Sequence, residues 1–172
     1  GREEVFHSAE QVERKIEDIR NQGYYTCELT SEEVEELKAD DKRVHQLFLD
    51  LMKETLIRWV GMAKEKIPKN FMVIMNPGND DERVIDQVLE KDDRIIYPLG
   101  KVVDLSSRHQ LISCEWVNPT PWKNTPRECS EEDLAKRLET EFGRLGSHES
   151  AVCNFHAPPY GTHLDIAAKL DE

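Results

Sequence analysis

The stretch from Phe71 to Glu82 limits what this chain can fold into more than any other part of the sequence. It opens with Phe71-Met-Val-Ile-Met75, an apolar run without alternation, and then meets a Pro-Gly pair. Such a run is typical of a strand covered on both faces, and proline and glycine cannot continue its ladder. We therefore predict a buried strand that brings Asn79 and Asp80 to an exposed sheet edge.

A second stretch, from Ser150 to Pro159, has the same design. An apolar run ends in His156 and is halted by two prolines. In open α/β sheets, ligands bind in the crevice outside the carboxyl ends of the strands. We therefore predict that Asn79 and His156 meet there, although each alone is more typical of an ordinary turn or strand end.

Composition limits the classes of function. A chain of 172 residues suffices for one domain, which we place at residues 1–172. Its 35 acidic and 23 basic residues give a formal net charge of -12, which disfavours general binding to nucleic acids or to membranes. Four widely spaced cysteines and the lack of an apolar stretch of about 20 residues predict a soluble, cytoplasmic protein.

Helix start signals recur along the chain. Ser8, Thr30 and Ser130 each precede an acidic or amide residue at the spacing of an N-terminal cap. The longest predicted helix runs over residues 41–67 and carries one apolar stripe, which we expect to pack against the sheet. Asp81 is expected to cap a further helix after the Asn79 turn.

Three short β-rich runs follow, at residues 94–98, 101–105 and 110–116. Their close spacing predicts antiparallel neighbours, whereas strands separated by helices should be parallel. The combination predicts an α/β sandwich with a mixed sheet. Segment 118–126 is too rich in proline for a helix or strand, so we predict a surface loop in which Trp122 forms a site wall or a loop anchor.

Two motifs resemble blocks of the calcineurin-like metallophosphoesterases. The segment Pro77-Gly-Asn-Asp-Asp81 is similar to the family's Gly-Asn-His-(Asp/Glu) block, and Cys153-Asn-Phe-His-Ala-Pro-Pro-Tyr-Gly-Thr162 is similar to its lone-histidine block. The second motif, with the 118–122 segment, resembles an uncharacterised prokaryotic and archaeal branch. The resemblance implies an incomplete four-layer αββα sandwich and metal-dependent hydrolysis of a phosphomonoester or phosphodiester.

The resemblance also implies two adjacent divalent metal ions, with Asn79 and His156 as ligands of one of them. Mn, Fe or Zn would suit an amide oxygen and an imidazole, and two such ions clamp phosphoryl oxygens and generate hydroxide at neutral pH. The implied substrate is a small-molecule or nucleotide phosphate ester. Tyr160 and Thr162, on the loop after His156, are expected to contact that substrate.

Asp80 stands where the commoner family pattern has a histidine that protonates the leaving group or contacts phosphate. A carboxylate beside two cations stays ionised at neutral pH and is a poor acid. We therefore predict a different catalytic role: either Asp80 orients a metal-coordinated water, or solvent at the metals supplies the proton. We place His163 at the rim of the loop rather than among the ligands.

Three other blocks of the family have no counterpart in this sequence: an Asp-x-His, a Gly-Asp block and a closing Gly-His-x-His. We expect them before Gly1 and after Glu172, so the chain as given should be an inactive central part that self-associates through open sheet edges. The alternative is a non-catalytic phosphoesterase-like scaffold that serves as a protein-interaction module. A nucleotide-binding domain is disfavoured because no G-x-G-x-x-G or P-loop motif follows a predicted strand.

Overall fold

The computed structural model describes residues 4–121 and 125–166. The chain divides into two compact units, Gly1–Gly61 and Met62–Glu172. A single domain over residues 1–172 stays a prediction. None of the helices in the described ranges has the length and apolar character that crossing a bilayer requires.

The first unit begins with two capped helices. Helix α1 (Ala9–Asn21) starts at Ser8, whose hydroxyl accepts a hydrogen bond from Gln11 N at 3.3 Å, as predicted. Gly23 follows the C-terminal cap of this helix, has a φ of 87° and donates to Arg20 O at 3.0 Å. Helix α2 (Ser31–Lys38) opens with the predicted capping box of Thr30 and Glu33.

Helix α3 (Asp41–Lys66) is the longest element and matches the predicted helix closely. Its buried apolar side chains follow one another at three- or four-residue spacing, which places them on one stripe; they are Met52, Leu56, Val60 and Ala63. The expected apolar stripe is buried only in part, since Trp59 and Phe48 on the same helix are 50% and 38% exposed. Periodicity identifies the apolar face of a helix but not how far neighbouring elements cover it.

The second unit contains a three-stranded mixed sheet in the order β1-β2-β3. Strand β1 (Val103–Asp104) pairs antiparallel with β2 (Gln110–Cys114), and β2 pairs parallel with β3 (Ala151–Phe155). Helix α5 (Glu131–Phe142) precedes β3, starts at the predicted cap Ser130 and packs on β2. The predicted mixed α/β class is therefore confirmed, as are the directions of these two strand pairings.

The Phe71–Met75 run is the clearest departure from the predicted elements. It pairs at a single point, where Ile74 forms an isolated parallel bridge with Ile96, supported by a bond of 2.8 Å from Ile96 N to Val73 O. Phe71 and Met72 are 58% and 53% exposed, so the prediction of a strand buried on both faces is wrong here. Its parallel direction agrees with the prediction.

Helix α4 (Val84–Lys91) begins later than expected and buries Ile85 and Leu89. Its N-terminal cap position is Arg83, whose side chain makes no cap hydrogen bond within the described part of the chain. The prediction that Asp81 caps this helix is wrong, because its carboxylate accepts from Gly78 N at 2.7 Å instead. Asp81 therefore closes the turn that carries Asn79 rather than the helix after it.

Candidate functional site

The carboxyl ends of β2 and β3 fix the backbone of His156. The two parallel strands pair as far as Cys114 and Phe155, and His156 N then donates to Cys114 O at 2.9 Å. The ladder thus extends one bond beyond β3. The imidazole of His156 is exposed at this edge of the sheet, where the sequence predicted it.

The turn after Met75 carries Asn79 to the same edge. Asp81 closes this turn through Gly78 N, and Asp81 N donates to Gly78 O at 3.4 Å. A Cβ atom at Gly78 would lie 2.7 Å from Cε1 and 2.8 Å from Nε2 of His156. A side chain at this position would therefore displace the imidazole, which lies directly against the backbone of Gly78.

The side chains of Asn79 and His156 are in contact. Nε2 of His156 lies 2.9 Å from Oδ1 of Asn79, across 77 residues of sequence. The amide nitrogen of Asn79 donates to Oδ1 of Asp80 and to Oγ1 of Thr125, at 3.1 Å each. Because a carboxylate oxygen can only accept, these bonds turn the amide oxygen toward the imidazole. The predicted meeting of the two side chains is confirmed.

Segment 125–127 contacts the Asn79 turn through the side chains of Thr125 and Arg127. The side chain of Arg127 is wholly buried, and its Nη1 donates to the backbone carbonyl oxygens of Gly78 and Asp81. Its Nη2 donates to Oδ2 of Asp86 at 2.7 Å, and Tyr97 donates to the other oxygen of that carboxylate at 2.8 Å. Burial, and then the bond to Asp86, raise the pKa of the Tyr97 hydroxyl well above its usual range.

A second polar contact joins the two strand ends. Nδ2 of Asn154 donates to Oδ1 of Asn76 at 2.5 Å and to Oγ of Ser113 at 3.3 Å. Ser113 is buried, and both asparagines are half-buried. Asn154 therefore links β2, β3 and the start of the Asn79 turn through bonds that water does not readily replace.

Of the other predicted site residues, Asp80 lies beside Asn79, whereas Tyr160 and Thr162 lie on the loop after His156. Asp80 is exposed next to Asn79. Tyr160 is 99% exposed, and the hydroxyl of Thr162 donates to Pro159 O at 2.7 Å within its own loop. Their predicted contact with substrate stays a prediction. His163 is exposed, and Trp122 lies outside the described residues.

The donor set fits part of a metal site. Two ligands at about 2.0–2.2 Å from one ion, roughly at right angles, lie about 3 Å apart, which the separation of Oδ1 and Nε2 matches. Without a cation, the same distance is an ordinary hydrogen bond from His156 to Asn79. Within the described residues, no group of three or more His, Cys, Asp and Glu side chains is placed to hold a metal ion. The pair therefore fits as two ligands of a single ion.

Sequence reasoning missed the residues that support the pair. Asn154 and Asn76 lay inside the two stretches that it singled out, but their side chains were given no role. Arg127 follows the proline-rich loop, and an arginine there is unremarkable in sequence. Comparisons with protein-family models, with curated proteins and with solved structures found no match.

Proposed function

We propose that this chain belongs to a metal-dependent phosphoesterase of the calcineurin-like type, in which Asn79 and His156 ligate one of two divalent ions. The observation that carries the proposal is the 2.9 Å contact between Oδ1 of Asn79 and Nε2 of His156. Two motifs that resemble separate blocks of one metal site lie side by side. The resemblance was read from the sequence alone, so their proximity supports it independently.

The finer architecture belongs to the same proposal. We infer an incomplete four-layer αββα sandwich whose mixed sheet includes β1, β2 and β3. Support comes from the parallel pair of β2 and β3, which ends at His156, and from helix α5 packed on β2. Parallel strands joined through a helix are the arrangement in which carboxyl-end loops build a site.

Each side chain has a defined part in this proposal. When bound, two divalent ions neutralise charge on the phosphoryl oxygens and supply hydroxide at neutral pH. Asn79 offers an amide oxygen that faces Nε2 of His156. His156 offers Nε2, which can ligate only when the hydrogen of the neutral imidazole is on Nδ1. Asp80 lies exposed beside them, where its carboxylate can accept a hydrogen bond from water.

The test is a calorimetric titration of the chain with Mn²⁺ and with Zn²⁺. We expect binding that weakens at least about tenfold in His156→Ala and in Asn79→Ala. His45→Ala is the matched control, because His45 is exposed on α3 in the first unit. Equal affinity in His156→Ala, or no binding by the wild-type chain at millimolar metal, would overturn the proposal and favour the non-catalytic scaffold.

Hydrolysis separates the two substrate classes. In a protein that also carries the other metal ligands of the proposed site, we expect turnover of p-nitrophenyl phosphate or of bis-p-nitrophenyl phosphate to require added metal. Preference for the first identifies a phosphomonoesterase, and preference for the second a phosphodiesterase. Metal-independent turnover of either substrate would contradict the proposed mechanism.

A further inference from the structure

Thr125 lies in a position that the metal-site motifs do not include. Its Oγ1 accepts a hydrogen bond from Nδ2 of Asn79 at 3.1 Å, across 46 residues of sequence. The amide nitrogen carries two hydrogens, and the second is directed at Oδ1 of Asp80, also at 3.1 Å. Both hydrogens of the amide are therefore engaged, which leaves its oxygen as the group that faces His156.

We propose that Thr125 is a positioning residue that, beside the Asp80 carboxylate, holds the Asn79 amide with its oxygen toward His156. This inference rests on the proposed function, since the amide end matters only if the oxygen is a metal ligand. An amide turned by half a rotation would direct its NH₂ group at the metal position, where it cannot ligate. The same rotation would set the amide oxygen against the Asp80 carboxylate, which can only accept, whereas the Thr125 hydroxyl can donate as well as accept. Asp80 therefore excludes the turned amide, and Thr125 holds the second hydrogen of the amide in place.

The chain two residues after Thr125 is held by hydrogen bonds to the Asn79 turn and to Val117. There the buried guanidinium of Arg127 bonds to the carbonyl oxygens of Gly78 and Asp81. Val117 N donates to Arg127 O at 3.1 Å, and Cys129 N donates to Val117 O at 3.0 Å. The hydroxyl of Thr125 and the turn that carries Asn79 are thus fixed to the same anchor. Side chains behind a ligand commonly set its orientation in this way.

The decisive pair of variants is Thr125→Val and Thr125→Ser. Valine keeps the branched shape and removes the acceptor, whereas serine keeps the acceptor. We expect Thr125→Val to weaken Mn²⁺ binding about tenfold or more, and Thr125→Ser to restore affinity to near that of the wild type. A merely structural role would not separate these two variants by their hydroxyl. Equal Mn²⁺ affinity in Thr125→Val and wild type would overturn the inference.

A second measurement reads the amide directly and needs no metal. In the wild-type chain, the side-chain NH₂ resonances of Asn79 should show nuclear Overhauser contacts to the methyl group of Thr125. In Thr125→Val we expect the chemical shifts of the two NH₂ hydrogens to become more alike and these hydrogens to exchange faster with water. The backbone resonances of the β2–β3 pair should be unchanged. Unaltered NH₂ resonances would also count against the role of Thr125.

The two proposals fail in different ways. If the wild-type chain binds Mn²⁺ through His156 but Thr125→Val binds it equally well, the proposed function stands and the positioning role falls. If the wild-type chain binds no Mn²⁺ at all, the proposed function falls, and the NMR comparison then reports whether Thr125 orients the amide in its absence.

Discussion

The guanidinium of Arg127 and the carboxylate of Asp86 form a salt bridge of 2.7 Å in which the arginine side chain is fully buried and the carboxylate is 16% exposed. The attraction within such a pair offsets the free energy of removing both charges from water only when the remaining donors also form hydrogen bonds. Arg127 meets this need in part by donating to two carbonyl oxygens of the Asn79 turn, while its buried Nε has no hydrogen-bond partner within the described residues. The salt bridge therefore supports the turn that presents Asn79.

Replacing Arg127 with methionine should destabilise the second unit strongly. The substitution leaves the Asp86 carboxylate without its cation and removes the arginine donor from the carbonyl oxygens of Gly78 and Asp81, which costs about 3–5 kcal/mol in comparable cases. Urea denaturation followed by tryptophan fluorescence measures the change. Lys136→Met is the control in the same unit, because its ion pair with Glu132 is exposed to solvent and should contribute little to stability. Equal losses in the two variants would show that the buried pair contributes no more than a surface pair.

Replacing Gly78 with alanine should displace the imidazole of His156. The added methyl group would lie 2.7 Å from Cε1, closer than side-chain atoms pack, so the ring must move away from Asn79. We expect a change in the His156 ring resonances in NMR spectra and a loss of the Asn79 contact. Gly61→Ala is the matched control, since nothing lies within 4 Å of its added methyl group. In the α3 interior it should stabilise the helix by about 0.5–1 kcal/mol. Unshifted His156 resonances in Gly78→Ala would contradict this prediction.

The stability of the second unit should fall at alkaline pH because of Tyr97. Burial and the bond to Asp86 raise the pKa of this hydroxyl above its unfolded value of about 10, so its contribution is complete below that pH. The contribution is lost as pH rises toward the folded pKa, at up to about 1.4 kcal/mol per pH unit.

Denaturation of the wild type and of Tyr97→Phe between pH 8 and pH 11, about one unit or more on each side of the unfolded pKa, measures this difference. The variant should lose about 1 kcal/mol at the acid end and show a shallower alkaline slope. Tyr160→Phe is the control for stability, because that ring is 99% exposed. Parallel slopes in Tyr97→Phe and the wild type would disprove the linkage.

Changing Asp80 to asparagine in the full-length protein should lower turnover more than metal content. Asparagine keeps an oxygen that can accept from Nδ2 of Asn79, so the amide stays oriented while the negative charge is removed. We expect at least about a tenfold drop in turnover of the phosphate ester with metal content preserved, since positioned acid–base groups contribute factors of this size or larger. Elemental analysis measures the metal content of the variant, and steady-state kinetics measures its turnover. Equal losses of metal and of turnover would make Asp80 a ligand instead.

Much of the local structure could be read directly from the sequence. The caps at Ser8, Thr30 and Ser130 are side chains that form hydrogen bonds within the next three residues, so residues close in sequence are enough to predict them. The directions of the strand pairings followed from the lengths of the connections. Asp81 was misread because two local partners compete for its carboxylate, the start of α4 and the amide of Gly78, and sequence does not rank them.

The sequence by itself determined the two strand-end motifs and predicted that Asn79 and His156 would meet. Only the tertiary structure decided how that meeting is held: Thr125 accepts a hydrogen bond from the Asn79 amide, the imidazole lies against Gly78, and Arg127 donates to the turn. The physical reason is that each of these contacts joins segments far apart in the chain. Their energies depend on burial and on exact distances, which a one-dimensional pattern of polar and apolar residues does not contain.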